Sequence, residues 1–138
     1  MATTTARSVH RRRAASKRAR VGCGIDVVNL ERFRRAANRS GQRFLDRIFT
    51  PAEQAYARQH HHATARLAAR FAAKEAVIKA LSQIDPNRRF DLTQIEITND
   101  ALGRPSVILV GAPRRYPSVY ISLSHETNLA IACAWVMG

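Results

Sequence analysis

Four ionisable side chains occupy positions where charge is costly unless it is used. Asp26 closes the apolar run Val21-Gly22-Cys23-Gly24-Ile25, Glu75 and Lys79 lie in the apolar stretch 71–80, and His125 follows Ser122-Leu123-Ser124. A carboxylate at the end of a buried strand is costly unless it is paired or bound to a metal ion. Asp26 has a second reading, as the cap of a helix that starts near Val28. Glu75 and Lys79 are four residues apart and share a helix face, as do Arg66, Arg70 and Lys74. Such faces fit a solvated surface with an ordinary ion pair, or the wall of a cleft. The position of Glu75 between Phe71 and Ile78 favours the cleft. His125, at a strand end, suits donation to a phosphate or proton exchange near neutral pH, or is simply a turn histidine.

The elements that must hold these groups can be read from periodicity. Residues 21–28 read as a short buried strand. Residues 29–40 carry Leu30, Phe33 and Ala37 at helical spacing, Ser40-Gly41 breaks that helix, and residues 42–49 form a second short piece. Thr50-Pro51-Ala52-Glu53 is a helix start, with Thr50 as N-cap, Pro51 at N1 and Glu53 closing a capping box. The longest helix is expected over 63–82, where Leu67, Phe71, Ile78 and Leu81 recur, and Asp85-Pro86-Asn87 ends it. Strands are expected over 94–98, 105–110, 118–123 and 129–136.

The chain has 138 residues, enough for one domain with a core, and no apolar run approaches a membrane span. Its 23 Lys and Arg against 10 Asp and Glu give a net charge of +13. Seven of those bases, and no acid, fall within residues 1–20, so the rest keeps 16 bases against 10 acids. A basic body suits an anionic partner: nucleic acid, a phosphorylated ligand or an acidic protein. Residues 1–20, with Val9 the one large aliphatic side chain after Met1, bury too little to fold and read as a disordered tail before a domain at 21–138. The tail's arginines also fit an organelle transit peptide, though without its apolar face; a cytoplasmic location is the main expectation. Cys23 and Cys133 read as buried free thiols.

Taken together, the blocks Gly24-Ile25-Asp26-Val27-Val28 with Arg32-Phe33, Ile48-Phe49-Thr50-Pro51-Ala52-Glu53, Arg70-Phe71-Ala72-Ala73-Lys74-Glu75-Ala76 with Lys79-Ala80, Ile95-Glu96-Ile97, Gly103-Arg104-Pro105 and Ser122-Leu123-Ser124-His125 resemble, in order and spacing, the holo-[acyl-carrier-protein] synthases. These are the short, single-module 4′-phosphopantetheinyl transferases. The resemblance covers residues 21–138 and implies an α+β fold, a small antiparallel sheet packed against one long helix and shorter helices. It implies transfer of the 4′-phosphopantetheine arm of coenzyme A to a serine of an apo acyl carrier protein, with 3′,5′-ADP leaving. Mg²⁺ would be held by Asp26 and Glu75, a donor set that suits a hard ion completed by phosphate oxygens and water. Lys79 would stabilise phosphate charge, Glu75 or a water on the metal would take the serine proton, and Arg70, Lys79 and His125 would contact coenzyme A.

The resemblance also implies a homotrimer with active sites at subunit interfaces. An acidic carrier protein would dock on the first helix through Arg32, Arg43 and Arg47, with Phe44 and Phe71 as apolar contacts. Arginines crowd that segment, with Glu31 and Asp46 its only acids. Two departures from the family pattern stand out. A Gly-x-Gly usually follows the Lys-Ala of the long helix, where this chain has Leu81-Ser82-Gln83-Ile84-Asp85. His60-His61-His62 replace basic residues, and either bind a 3′-phosphate when protonated or form a solvated loop. The rival from another class, a small basic nucleic-acid-binding module, rests on the tail and net charge and lacks the usual signatures.

Overall fold

A computed structural model describes residues 20–138; the expectations for the tail fall mainly on residues outside these. The order of elements is β1 (Val21–Asn29), α1 (Leu30–Ile48), α2 (Pro51–Arg58), α3 (Ala63–Ile84), a 3-10 turn (Leu92–Gln94), β2 (Ile95–Asn99), β3 (Pro105–Leu109), β4 (Ser118–His125) and β5 (Leu129–Met137). The fold is α+β. Its strands form two sheets: an antiparallel three-stranded sheet in the order β1-β5-β4, and a separate β2-β3 hairpin. No described helix is long and apolar enough to cross a membrane.

Side-chain size decides how α3 sits on the larger sheet. One face of that sheet presents Gly22, Gly24, Asp26 and Val28 on β1, opposite Val136, Ala134, Ala132 and Ala130 on β5. The helix presents Ala69, Ala72, Ala73, Ala76 and Ala80, all essentially without solvent contact. Small residues on both sides let the backbones close together. A Cβ on Gly22 would lie 2.2 Å from the Ala80 carbonyl oxygen, and one on Gly24 would lie 2.1 Å from that of Ala76. Only hydrogen fits at either position.

The other face of the sheet differs from expectation. Strand β1 alternates rather than being buried on both sides, and Val21, Ile25, Val27, Ile131, Trp135 and Met137 are all exposed. Cys23 belongs to this outer face and is exposed, not buried; Cys133 is half-buried and likewise free. These side chains share one face by the β1-β5 register and leave a contiguous apolar surface in the single chain.

Asn29, not Asp26, caps α1: its side chain accepts from the Arg32 amide at 2.9 Å. The expected break appears as a kink at Gly41, whose φ of 58° is open to glycine at little cost. Phe33 then packs against Phe44, Phe49 and Phe71, at centroid distances of 5.6, 6.2 and 5.9 Å, and draws both halves of α1 onto α3. The capping box at Thr50 is present. Gly24→Ala should cost about 1–3 kcal/mol by forcing strand and helix apart. The expected readout is a lower urea midpoint at an unchanged m-value.

Candidate active site

Asp26 lies near the end of β1, on the face that looks at α3. Glu75 and Lys79 lie one turn apart on α3. The contact between strand and helix brings the three together. Lys79 Nζ donates to Asp26 Oδ1 at 2.7 Å and to the Ile25 carbonyl at 2.9 Å. The ion pair is part-exposed, its side chains 49% and 20% accessible, so solvent reaches the group from one side. Asp26 therefore pairs across the fold, and Lys79 is turned to the strand rather than along its own helix.

Glu75 is half-buried, and its carboxyl is held above the usual glutamate range. Loss of water on burial is the main cause, followed by the negative charge of Asp26; Lys79 opposes both. The charge of Asp26 thus raises the cost of ionising Glu75, and the Lys79 ammonium lies beside both. Among the described residues no group of three or more His, Cys, Asp or Glu is arranged to hold a metal ion. Two carboxylates are a sparse donor set, suited to a hard ion whose remaining ligands are water and phosphate rather than to zinc.

A cleft of about 300 Å³ opens beside Asp26, lined by Asn29, Arg32, Phe33, Ala36, Phe44 and Phe71. Arg32, Phe44 and Phe71 thus share one hollow with Asp26. Arg43 and Arg47 are exposed on the second half of α1 and do not line it. His125 ends β4 in register with Ala130, which pairs with Val28 on β1. Its side chain is therefore on the sheet face that carries Asp26, at the same end of the sheet, and it is exposed.

Arg70 is not in this group. Five residues before Glu75, it points about 140° around the helix axis. There its guanidinium donates to Asn99 Oδ1 at 2.9 Å and lies 4.2 Å from the centre of the Tyr56 ring. It is only 5% exposed, and its Nε, like that of Arg66, is buried without a hydrogen-bond partner. His60 is tied locally, its Nδ1 2.8 Å from the Tyr56 carbonyl oxygen. His61 and His62 are exposed and line a separate hollow with Glu31 and Arg34.

The sequence reading missed the most deeply buried charge. By spacing, Lys74 shares with Arg66 and Arg70 a helix face open to solvation, yet its side chain is fully buried against Glu53, with Nζ 2.6 Å from Oε2. The signal was present: Lys74 interrupts the small apolar run of Ala72, Ala73, Ala76 and Val77.

Residues 22–134 match the family model for the 4′-phosphopantetheinyl transferase superfamily. The chain belongs to this superfamily. It is 40% identical over 111 residues to the holo-[acyl-carrier-protein] synthase of Thermodesulfovibrio yellowstonii, which covers 80% of this chain and 93% of that relative. It superposes with a TM-score of 0.73, at 28% identity, on an ACPS–CoA complex from Chronobacterium ammoniagenes, covering 85% of this chain and 96% of that one. It superposes with a TM-score of 0.70, at 31% identity, on a Bacillus anthracis holo-(acyl-carrier-protein) synthase in complex with CoA (3′,5′-ADP), covering 85% and 96%.

The raised Glu75 pKa has a signed consequence. Its contribution to stability is complete below the ordinary value of 4.5 and is lost as pH rises through the higher folded value. In chelator, Glu75→Gln should therefore gain stability over the unsubstituted protein as pH rises from about 4 to about 7. Denaturant midpoints across that range check this, and parallel curves would contradict it.

Proposed function

We propose that this chain transfers the 4′-phosphopantetheine group of coenzyme A to a serine of an apo acyl carrier protein, as a cytoplasmic, Mg²⁺-dependent holo-[acyl-carrier-protein] synthase. The observation that carries this reading is the meeting of Asp26 with Glu75 and Lys79 at the mouth of an arginine- and phenylalanine-lined cleft. The named relatives support the two substrates.

Asp26 and Glu75 would hold Mg²⁺, and the Asp26 charge that raises the cost of ionising Glu75 supports that fit. Bound there, the ion would draw negative charge from the pyrophosphate of coenzyme A and fix its orientation. Lys79, already turned into the group, supplies a fixed positive charge toward the phosphates. The serine oxygen forms a bond to the β-phosphorus, the bond from that phosphorus to the bridging oxygen breaks, and 3′,5′-ADP leaves with the electron pair. The serine proton passes to Glu75 or to a neighbouring water.

Arg32 supplies charge beside the cleft and Phe44 and Phe71 supply apolar walls, which supports docking of an acidic helix there; Arg43 and Arg47 would extend the charge along α1. The exposed apolar face of the β1-β5-β4 sheet supports assembly into a homotrimer. Arg70 lies apart from Asp26 and is buried against Asn99 and Tyr56, so a contact with coenzyme A forms no part of this reading. His125, on the Asp26 side of the sheet, would reach the same phosphates. Residues 21–138 would form the working domain, with the basic tail dispensable.

Purified protein with coenzyme A, Mg²⁺ and an apo carrier should raise the carrier's mass by one phosphopantetheine arm. Asp26→Ala or Glu75→Ala should lower turnover on the order of 10²-fold or more while the fold is kept. Near-normal turnover of either at limiting Mg²⁺ would remove the metal assignment. Charge reversal at Arg32 with Arg43 should raise the KM for the carrier about tenfold, flatten its salt dependence and leave the KM for coenzyme A alone. Weakened coenzyme A with an unaffected carrier would assign this face to the nucleotide instead.

A further inference from the structure

Lys74 sits next to Glu75 in sequence but faces the opposite environment. Its ammonium has three hydrogens and three oxygens to receive them: Glu53 Oε2 at 2.6 Å, the Ile48 carbonyl at 2.6 Å and the Leu92 carbonyl at 2.8 Å. The three acceptors belong to three elements. Ile48 ends α1, Glu53 is in the first turn of α2, and Leu92 opens the 3-10 turn before β2. Glu53 carries the link further, accepting from the Thr50 amide and, through Oε1, from the Ile97 amide, each at 2.9 Å.

Stability alone does not account for burying this pair. Removing two charges from water costs about as much as their attraction returns, and well-packed apolar pairs often do as well. What an apolar pair lacks is direction. An ammonium fixed by three oxygens sets the distance and angle of each element that supplies one.

The element most in need of this is the second half of α1. Its first half is anchored by the Asn29 cap, but the kink at Gly41 ends the helical continuity that would orient residues 42–48. Those residues carry Phe44, which lines the cleft together with Phe71. At their far end the Ile48 carbonyl is held by Lys74. Glu75, the next residue, points into the Asp26 group, so one stretch of α3 references both the reacting group and the wall beside it.

We propose that the buried Lys74–Glu53 pair is a positioning device that fixes the Phe44 wall relative to Glu75 and thereby sets affinity for the acyl carrier protein, an inference that rests on the transferase reading above. Both side chains are buried, so the pair acts through the elements it holds.

Lys74→Met alone strands the Glu53 carboxylate and is a poor probe. Lys74→Met/Glu53→Gln removes both charges, and Glu53→Gln alone keeps an oxygen for Lys74 and serves where the double variant does not fold. The full chain is measured with coenzyme A, Mg²⁺ and an apo carrier, and by amide hydrogen exchange without substrates. The double variant should exchange faster at residues 42–48 while the middle of α3 stays protected. Its KM for the carrier should rise about tenfold, with kcat at saturating carrier and the Kd for coenzyme A within about threefold of the unsubstituted protein. Glu53→Gln should move both readouts the same way by less. Unchanged exchange at 42–48 overturns the inference whether or not transfer occurs. Unchanged carrier KM, or equal weakening of carrier and coenzyme A, overturns it as well. Failure of the unsubstituted protein to modify any carrier sinks the transferase reading, while the exchange data still judge the pair.

Discussion

The close approach of β1 to α3 is the constraint from which the rest of the molecule follows. Hydrogen at Gly22 and Gly24 lets the strand lie against the carbonyl oxygens of Ala80 and Ala76. The alanines of β5 and α3 continue the contact without bulk. Because strand side chains alternate, the next inward position after Gly22 and Gly24 is Asp26, and the helix residues it meets are one turn apart. The packing that stabilises the core thus delivers a carboxylate to Glu75 and Lys79. A larger residue at either glycine would move the strand outward and Asp26 with it.

Charge is handled in two ways on the same helix. Lys79 and Glu75 remain at the edge of solvent, where the Asp26 pair contributes little to stability and its groups stay available for ligands. Lys74 and Arg70 are taken inside, each with fixed partners: Lys74 with three oxygens, Arg70 with Asn99 and the Tyr56 ring. The buried charges join elements distant in sequence. The part-exposed ones, on the proposed reading, meet substrate.

The local features were legible because they depend on neighbours in sequence. The Thr50-Pro51-Ala52-Glu53 start, the break at Gly41 and the long helix ending before Pro86 need only short-range chemistry, and each appears within a few residues of its expected place. Asp26, Glu75 and Lys79 stood out as charges in apolar runs. What could not be read was pairing. Periodicity does not say which strands are neighbours, so the β2-β3 hairpin was not separated from the larger sheet. Nor does it say whether the second face of a strand is covered, so an apolar run alone places Cys23 inside although it is exposed. Lys74 and Glu53 are 21 positions apart, and spacing within a helix could not join them. Arg70 shares a motif with Glu75 but not a direction, since five residues do not bring a helix back to the same face.

On the proposed reading, the convergence of strand and helix makes one ion site of Asp26 and Glu75. It is tested most directly by anomalous diffraction from crystals of the protein grown with coenzyme A and Mn²⁺ in place of Mg²⁺. A single strong manganese peak within coordination distance of both carboxylates and of the pyrophosphate is the predicted result. A peak at the His61–His62 hollow, or one bound to a single carboxylate with Lys79 still on Asp26, would contradict it.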